Sequence, residues 1–456
     1  MDLNNIQRVY FIGIGGIGMS AIARFFNENG VQVSGYDRTE TALTKQLAAE
    51  GMQIHYTDDI TLLDKTTNLV VYTPAIPPIH TELQWYRENN FEVVKRSDVL
   101  QEITRELFAI TVAGTHGKTT ISTMIAHILR HSGYGCNAFL GGISVNYDRN
   151  FWSSSKRVAV IEADEYDRSF LKLSPDIAVL TAMDPDHLDI YGTEAAMQEA
   201  FIQYTRNIKP NGTLIAREGL QRAADLQAAN KLWYSRQSTT ANAYARNIRN
   251  KKGGYEYDVV QQNWTIENVT LPIGGLHNIE NSVAAITAAQ LLGIDAAAIK
   301  AAIADFKGIR RRFEYVINND YQVFIDDYAH HPEELRALIS SARNLFPDKK
   351  CVVAFQPHLY TRTRDLADGF AESLALADEV ILLPIYPARE LPIEGVSSKM
   401  IAEKIKNKPV QVLQQAELLE WLKANTAPLF ITAGAGDIDL VKEPVRKILE
   451  GEKSEG

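Results

Sequence analysis

The stretch Phe108-Ala-Ile-Thr-Val-Ala-Gly114-Thr-His-Gly-Lys118-Thr-Thr-Ile-Ser-Thr-Met-Ile-Ala-His-Ile-Leu129 reads as an apolar strand, a turn bounded by two glycines, and an apolar helix. Backbone N–H groups of such a turn, together with the N-terminus of the following helix, make a cradle for a polyphosphate. Gly114, Thr115, His116, Gly117, Lys118, Thr119 and Thr120 form the cradle. Lys118 adds a cation at the β- and γ-phosphates, and the Thr119 hydroxyl is a ligand for Mg²⁺. The pattern points to ATP. It departs from G-x-x-x-x-G-K-[ST] because Val112 stands where the first glycine belongs, which leaves a shorter G-x-x-G-K-T loop.

On both sides of this stretch, short apolar runs alternate with helix-length segments: Arg8–Ile14, Val31–Tyr36, Leu69–Tyr72, Val158–Glu162 and Ile177–Thr181. Alternation of this kind predicts parallel sheets built from βαβ units. The polar stretch Ser97–Glu106 marks a first boundary, and a second falls near residue 318, ahead of the strand Gln322–Asp326. The expected fold class is α/β with three domains. These are an N-terminal Rossmann-like domain over 1–106, a central P-loop mononucleotide-binding domain over 107–318 and a C-terminal Rossmann-like domain over 319–456. Between about residues 232 and 275 the pattern changes to short strands around Lys251-Lys-Gly-Gly254, an antiparallel addition to the central domain.

Composition bounds the function. With 456 residues, Lys+Arg 47 against Asp+Glu 56 and a net charge of −9, the chain is an ordinary globular protein without the basic balance of a nucleic-acid binder. Two cysteines, Cys136 and Cys351, exclude a disulfide scaffold and a Cys-rich metal site, and favour a reducing compartment. No run is long and apolar enough to predict a membrane span, and no signal-peptide pattern opens the chain, so the expected location is cytoplasmic.

A second glycine-rich turn lies near the N-terminus. Strand Val9–Ile12 runs into Gly13-Ile14-Gly15-Gly16-Ile17-Gly18 and then into a helix. Gly13 permits the tight turn, Gly15 lets the backbone approach a pyrophosphate, and Gly18 allows close helix–strand contact. Asp37 ends the next strand and offers a carboxylate to a ribose or base. Alone, this half fits NAD as well as any other nucleotide diphosphate, and an NAD-dependent oxidoreductase is one reading. That reading leaves Gly114–Thr120 without a role, since hydride transfer needs no ATP.

Strand Val158–Ile161 delivers Glu162-Ala-Asp164-Glu165-Tyr-Asp167 to the carboxyl edge of a parallel sheet, where open α/β folds bind ligands. Glu162 is the candidate partner of Thr119 in holding Mg²⁺, because hard cations prefer oxygen. Strand Ala178–Thr181 similarly delivers Asp184-Pro-Asp-His187. His330-His331 does not make a zinc site on spacing grounds, since adjacent side chains point apart. Asn278 and Asn281 also read as helix-starting residues, and Arg310-Arg311-Arg312 as a solvated basic turn.

Taken together, Gly114–Thr120, Glu162–Asp167, Asp186–Tyr191, Gly275–Asn281, Arg312–Glu314 and Asp326–Pro332 resemble, in order and over essentially the whole chain, the Mur ligase superfamily of ATP-dependent, amide-forming ligases of bacterial cell-wall precursor synthesis. Gly13–Met19, Gln356-Pro-His358, Thr361-Arg362-Thr-Arg364 and Thr432–Asp437 resemble its alanine-adding members. The resemblance implies that Gly13, Gly15, Gly16, Ile17, Gly18 and Asp37 hold the UDP of a nucleotide sugar. It implies Thr119, Glu162 and His187 at the magnesium site, Asn278 and Asn281 at adenine, Arg312 at the ATP phosphates and Asp327 at the ATP ribose. Lys118, His187 and Arg312 would be the catalytic set, and His358, Arg362 and Arg364 the candidates for the amino acid.

The implied substrates are small molecules, UDP-N-acetylmuramate and L-alanine, joined through an acyl phosphate. A murein-recycling ligase that adds a tripeptide to the same sugar is the close alternative. Sister ligases carry a carbamylated Lys 15 residues after the metal-site His; here Ile202 occupies that position, as the resemblance to alanine-adding members implies. Ala182 replaces an Asn found in many members before the Asp-His segment.

Overall fold

The computed structural model describes residues 2–185, 188–262, 264–388 and 390–451. In chain order the first elements are β1 (Arg8–Ile12), α1 (Ile17–Glu28), β2 (Gln32–Tyr36), α2 (Ala42–Ala49), β3 (Gln53–His55), β4 (Leu69–Tyr72), α3 (Thr81–Glu88), β5 (Val93–Lys95) and α4 (Arg96–Glu106). Next come β6 (Phe108–Ala113), α5 (Lys118–His131), β7 (Asn137–Ser144), β8 (Arg149–Trp152), β9 (Val158–Glu162), β10 (Ile177–Leu180), α6 (Leu188–Tyr191) and α7 (Glu194–Arg206). They are followed by β11 (Thr213–Arg217), β12 (Asn230–Ser235), β13 (Ala243–Lys251), β14 (Gly254–Gln261), β15 (Trp264–Leu271), α8 (Leu276–Leu291) and α9 (Ala296–Asp305). The chain closes with β16 (Glu314–Asn318), β17 (Val323–Asp327), α10 (Pro332–Leu345), β18 (Cys351–Phe355), α11 (Tyr360–Leu374), β19 (Glu379–Leu382), α12 (Lys399–Ala402), β20 (Val410–Val412), α13 (Gln415–Ala424), β21 (Leu429–Ala433) and α14 (Lys442–Leu449).

The expected α/β architecture is present as three sheets. The first, in order β3-β2-β1-β4-β5, is parallel throughout. Strand order reverses at β1, so the glycine turn that follows it lies at the switch point where such sheets bind ligands. Side chains of β1 alternate: Val9 and Phe11 pack toward α1, Tyr10 and Ile12 toward Leu83 and Tyr86 of α3. Both faces are buried, which is why the strand reads as an unbroken apolar run.

The second sheet has the order β15-β14-β13-β12-β11-β10-β6-β9-β7-β8, parallel from β13 to β7 and antiparallel at β7–β8. The connections joining β13, β14 and β15 are only two residues long, too short for parallel crossovers, so this edge is the antiparallel addition expected from Lys251–Gly254. The third sheet, β16-β17-β21-β18-β19-β20, is parallel except for β16–β17.

The chain divides into two compact units. One comprises residues to Arg246 with Asp258–Val269 and Glu280–Asp305; the other comprises Asn247–Tyr257, Thr270–Ile279 and the chain from Phe306 on. Within the first unit, α1 docks on the β7–β8 edge through Arg24, which is 1% exposed. Its guanidinium makes two hydrogen bonds to Glu50, at 2.8 and 2.9 Å, and a third to Asn150. Asn150 in turn donates to Ile17 O and Ser20 Oγ. A buried charge is tolerated only when paired and fully hydrogen-bonded, and this one is. Ile202 is 1% exposed in an apolar cluster with Phe170, Phe201 and Tyr204.

Candidate active site

The loop between β6 and α5 is built by its glycines. Gly114 has φ +123°, and a Cβ there would collide with Thr181 Oγ1 and come within 2.7 Å of the Ala182 nitrogen. Gly117, the N-cap of α5, has φ +80°, and a Cβ on it would lie 2.8 Å from Asn281 Oδ1. Gly114 therefore needs glycine on conformation and on space, and Gly117 on conformation. Val112, which displaces the first glycine of the longer motif, is fully buried inside β6. The neighbouring strand end braces the loop: Thr115 N donates to Ala182 O at 3.2 Å, Thr181 N to Ala113 O at 3.0 Å, and Thr181 Oγ1 to His116 O. Ala182 thus serves the loop through its main chain, and the Asn of other members is not needed for that contact. His116 reaches the Asp184 carboxylate at 3.5 Å from an exposed position.

The cation and the carboxylates converge here. Lys118 Nζ donates to Gly114 O and to Glu165 Oε1, each at 2.7 Å, which folds the side chain back over the loop. Glu165 is 1% exposed, and burial pushes its carboxyl above the usual range while the Lys118 ammonium opposes that shift. Thr119 Oγ1 donates to Glu162 Oε1 at 3.0 Å, and Gly141 N donates to Glu162 Oε2 at 3.0 Å. A Cβ at Gly141 would run into that carboxylate. Burial likewise raises Glu162, against Lys118 and the Thr119 hydroxyl. Two of the three residues expected at magnesium are therefore in contact, and their oxygen donors suit a hard divalent cation. The third, His187, lies outside the described residues.

At the first glycine turn, Gly13 (φ +88°) and Ile14 donate their N–H groups to Tyr36 O at 2.8 and 3.0 Å. Gly15 N donates to Asp37 Oδ2 at 2.7 Å, and Thr39 N to Asp37 Oδ1 at 3.2 Å, so Asp37 closes the turn itself. Gly16 is the N-cap of α1, and Ile17 is exposed there. A Cβ at Gly18 would meet the guanidinium of Arg96, which also donates to Asp164 Oδ2 at 3.3 Å.

Asn278 and Asn281 do not start a helix, because α8 begins at Leu276 and both lie inside it. Asn278 Nδ2 donates to Gly274 O at 2.6 Å.

In the second unit, three matched blocks meet at the carboxyl ends of adjacent strands β17, β21 and β18. Asp327 Oδ2 accepts from Phe313 N at 2.6 Å and Oδ1 from Ala329 N at 2.7 Å. Burial nevertheless pushes its carboxyl up to about 6 against those two donors. Gln356 bridges to Asp437 Oδ1 at 2.6 Å and accepts from Ile438 N at 2.9 Å.

The triple arginine is not a uniform solvated turn. Arg311 and Phe313 have φ of 60° and 49°, which turns neighbouring side chains to opposite tasks. Arg311 is tied to Gly434 O, to Asp326 at 3.6 Å and to Asp439 at 3.7 Å. Arg312 is exposed, with its guanidinium 6.0 Å from the Tyr328 ring centre.

Of the amino-acid candidates, His358 stacks on Tyr386 at 5.8 Å, and its Nδ1 is buried without a hydrogen-bond partner, as is Nη1 of Arg362. Burial, then the charge of Arg362, holds the His358 imidazole below its usual pKa. Between them stands Leu359 at φ +69°, a strained position for a branched side chain. Arg364 is turned away, exposed and paired with Asp365 at 2.7 Å. Sequence reasoning missed Glu165 and Arg96. The first stood in a run of acids with no local mark to separate it, and the second is recognisable only by its place over Gly18.

Comparison with known proteins identifies the frame. Residues 8–107 match the Mur ligase family catalytic domain, 112–289 the Mur ligase middle domain and 311–442 the Mur ligase glutamate ligase domain. The chain belongs to the Mur ligase family. It is 50% identical over 446 residues to the UDP-N-acetylmuramate–L-alanine ligase of Phocaeicola vulgatus, covering 96% of this chain and 97% of that one. It is 48% identical to the ligase of the same name from Parabacteroides distasonis, covering 98% of each. The crystal structure of the Thermotoga maritima UDP-N-acetylmuramate–alanine ligase superposes with a TM-score of 0.82 at 28% identity, covering 98% of this chain and 100% of that one. A murein peptide ligase from Psychrobacter arcticus shares the fold at 22% identity and a TM-score of 0.68, over 97% and 98% of the two chains. Membership in this family removes the oxidoreductase reading of the first glycine turn. Among the described residues, no helix is long and apolar enough to cross a membrane.

Proposed function

We propose that this Mur ligase joins L-alanine to the lactyl carboxylate of UDP-N-acetylmuramate, converting ATP to ADP and phosphate in peptidoglycan precursor synthesis. The observation that carries the reading is the phosphate loop with Lys118 and the Thr119–Glu162 pair, in a chain 50% identical over nearly its whole length to a ligase of that name. The tripeptide-adding alternative has the weaker support, since the murein peptide ligase is 22% identical.

A carboxylate does not acylate an amine at neutral pH, because its oxide is a hopeless leaving group. Phosphorylation removes that obstacle. The lactyl carboxylate attacks the γ-phosphorus of ATP, ADP leaves, and an acyl phosphate results. The alanine amine then adds to the acyl carbon and inorganic phosphate departs. Backbone N–H groups of Gly114–Thr120 hold the polyphosphate, and Lys118 exchanges Glu165 for phosphate oxygens as charge shifts onto the leaving ADP. Thr119, Glu162 and His187 would hold Mg²⁺, which screens the triphosphate when bound. Arg312 is the assigned second cation, Asn278 and Asn281 the adenine contacts, and Asp327 the ribose contact.

The turn Gly13–Gly18 with Asp37 is assigned to the UDP moiety. Arg362 is assigned to the carboxylate of alanine, as a planar fork of donors matches it. His358, neutral at physiological pH, is the described residue suited to take the ammonium proton. Domain boundaries near 106 and 318 belong to the same proposal; the gap between the matches ending at 107 and starting at 112 supports the first, while the third match starts at 311, a few residues ahead of the second. A cytoplasmic location belongs to it as well, supported by the two free cysteines.

The test is an assay with ATP, Mg²⁺, UDP-N-acetylmuramate and single amino acids or the tripeptide, following phosphate release and product mass. Product with L-alanine and none with tripeptide is the expected result; the reverse would overturn the assignment.

A further inference from the structure

Behind the first glycine turn lies a polar cluster that the ligase reaction does not use. Asp58 follows β3, His80 is the N-cap of α3, and Glu82 sits in the first turn of that helix. One ligand atom from each lies within 4.8 Å of the others. His80 is 7% exposed and Glu82 fully buried. Neither ring nitrogen of His80 has a hydrogen-bond partner, although Nδ1 stands 3.5 Å from Asp58 Oδ1. Desolvating an imidazole without satisfying either nitrogen is costly unless a ligand completes it.

The carboxylates are equally incomplete. Asp58 accepts from Thr81 N and Glu82 N, at 3.0 and 3.1 Å. Glu82 accepts from Tyr10 Oη at 2.7 Å and Asp59 N at 3.2 Å. These bonds orient both groups and leave each carboxylate with lone pairs to spare. Among the described residues no Lys or Arg pairs with either acid; their ion-pair neighbours are His80 and His55, the latter 3.5 Å from Glu82 Oε1. The buried Glu82 carboxyl and the more exposed Asp58 carboxylate thus face His80 with no Lys or Arg beside them among the described residues.

We propose that Asp58, His80 and Glu82 bind a divalent transition metal, zinc in the first instance. Donors at about 2.0–2.1 Å around a tetrahedral ion lie about 3.4 Å apart, which the Asp58–His80 separation of 3.5 Å already meets. An imidazole among the donors selects zinc over magnesium. Three protein ligands leave a fourth position for water. The hydrogen bonds from Tyr10 and from the α3 N-terminus act as the outer shell that fixes ligand orientation. The His80 ring packs edge-on against Tyr36 at 4.7 Å, and the Tyr36 carbonyl holds Gly13 and Ile14. The ion would therefore fasten the loop after β3 to α3, directly behind the phosphate-facing turn.

The test is calorimetric titration of the chelator-stripped full chain with zinc chloride in excess magnesium, which keeps the Thr119–Glu162 oxygens occupied. One zinc equivalent is expected for the wild type and for Glu162→Gln, and none at this site for His80→Gln or Asp58→Asn. Zinc should also raise the melting temperature of the wild type and leave that of both variants unchanged. Asp58 is exposed, so Asp58→Asn keeps the test valid if His80→Gln fails to fold. Cobalt substitution adds a spectroscopic reading: intense tetrahedral ligand-field bands, lost in Asp58→Asn. Zinc stoichiometry equal in the wild type and both variants, or no zinc bound by the wild type, would overturn the proposal.

Discussion

Lys118 Nζ and Glu165 Oε1 stand 2.7 Å apart, and the carboxylate side of this pair is buried to 1% exposure. The ammonium proposed to meet phosphate is thus already neutralised by the protein. Replacing Glu165 with Gln removes the competitor and leaves a partly buried cation waiting for an anion. Breaking such a pair costs the nucleotide-free fold about 3 kcal/mol. The expected outcome is a lower melting temperature without ligand and a larger rise on adding ATP than in the wild type. An ATP-induced shift no larger than that of the wild type would refute the competition.

Lys118→Ala removes the cation itself. Turnover should fall by about 100-fold or more, in line with the loss of one charge-stabilising group at a transferring phosphoryl. UDP-sugar affinity, measured by calorimetry, should stay within about twofold of the wild type, because the proposed UDP cradle is the separate glycine turn after β1. A parallel loss of both quantities would contradict two independent phosphate sites.

Gly114→Ala tests the loop backbone. The substitution meets both a left-handed φ of +123° and a collision with Thr181 and Ala182. Destabilisation of about 2 kcal/mol is expected from the backbone alone, together with loss of nucleotide binding in equilibrium dialysis.

The three basic candidates for alanine separate cleanly. Arg362 has a buried, unpartnered Nη1, whereas Arg364 is exposed and bound to Asp365. Arg362→Ala should raise KM for alanine by about tenfold or more, the scale of a lost charged hydrogen bond, with KM for ATP unchanged. Arg364→Ala should change neither. Equal effects at the two positions would dismiss Arg362 as the carboxylate contact.

Asp327 predicts a pH signature. Its carboxyl titrates at about 6 in the fold, against about 3.9 unfolded. The folded state therefore holds the proton more tightly, and this contribution is full below about pH 4 and lost as pH rises through 6. Stability of the unit containing it should decline by about 3 kcal/mol across that window. Calorimetric scans of Asp327→Asn should lack this component, and an unchanged pH profile would show that Asp327 does not titrate there.

Legibility in the sequence followed the range of the interactions. The strand–loop–helix of Phe108–Leu129 and the turn Gly13–Gly18 are local patterns, set by glycine geometry and apolar spacing, and both are found where they were expected. The convergence of Asp327, Gln356 and Asp437 was visible only as three separate blocks, because parallel pairing of β17, β21 and β18 brings together residues about 100 positions apart. Glu165 was indistinguishable from Asp164 and Asp167, since burial is decided by tertiary packing. Arg311 and Arg312 look equivalent in sequence, yet left-handed backbone on either side of Arg312 separates a tethered guanidinium from an exposed one.

The apolar side chain of Ile202, sealed among aromatic rings, cannot capture dissolved carbon dioxide as a lysine amine does. Position 202 therefore offers no site for bicarbonate-dependent activation, and the expected rate is the same in degassed buffer as in air.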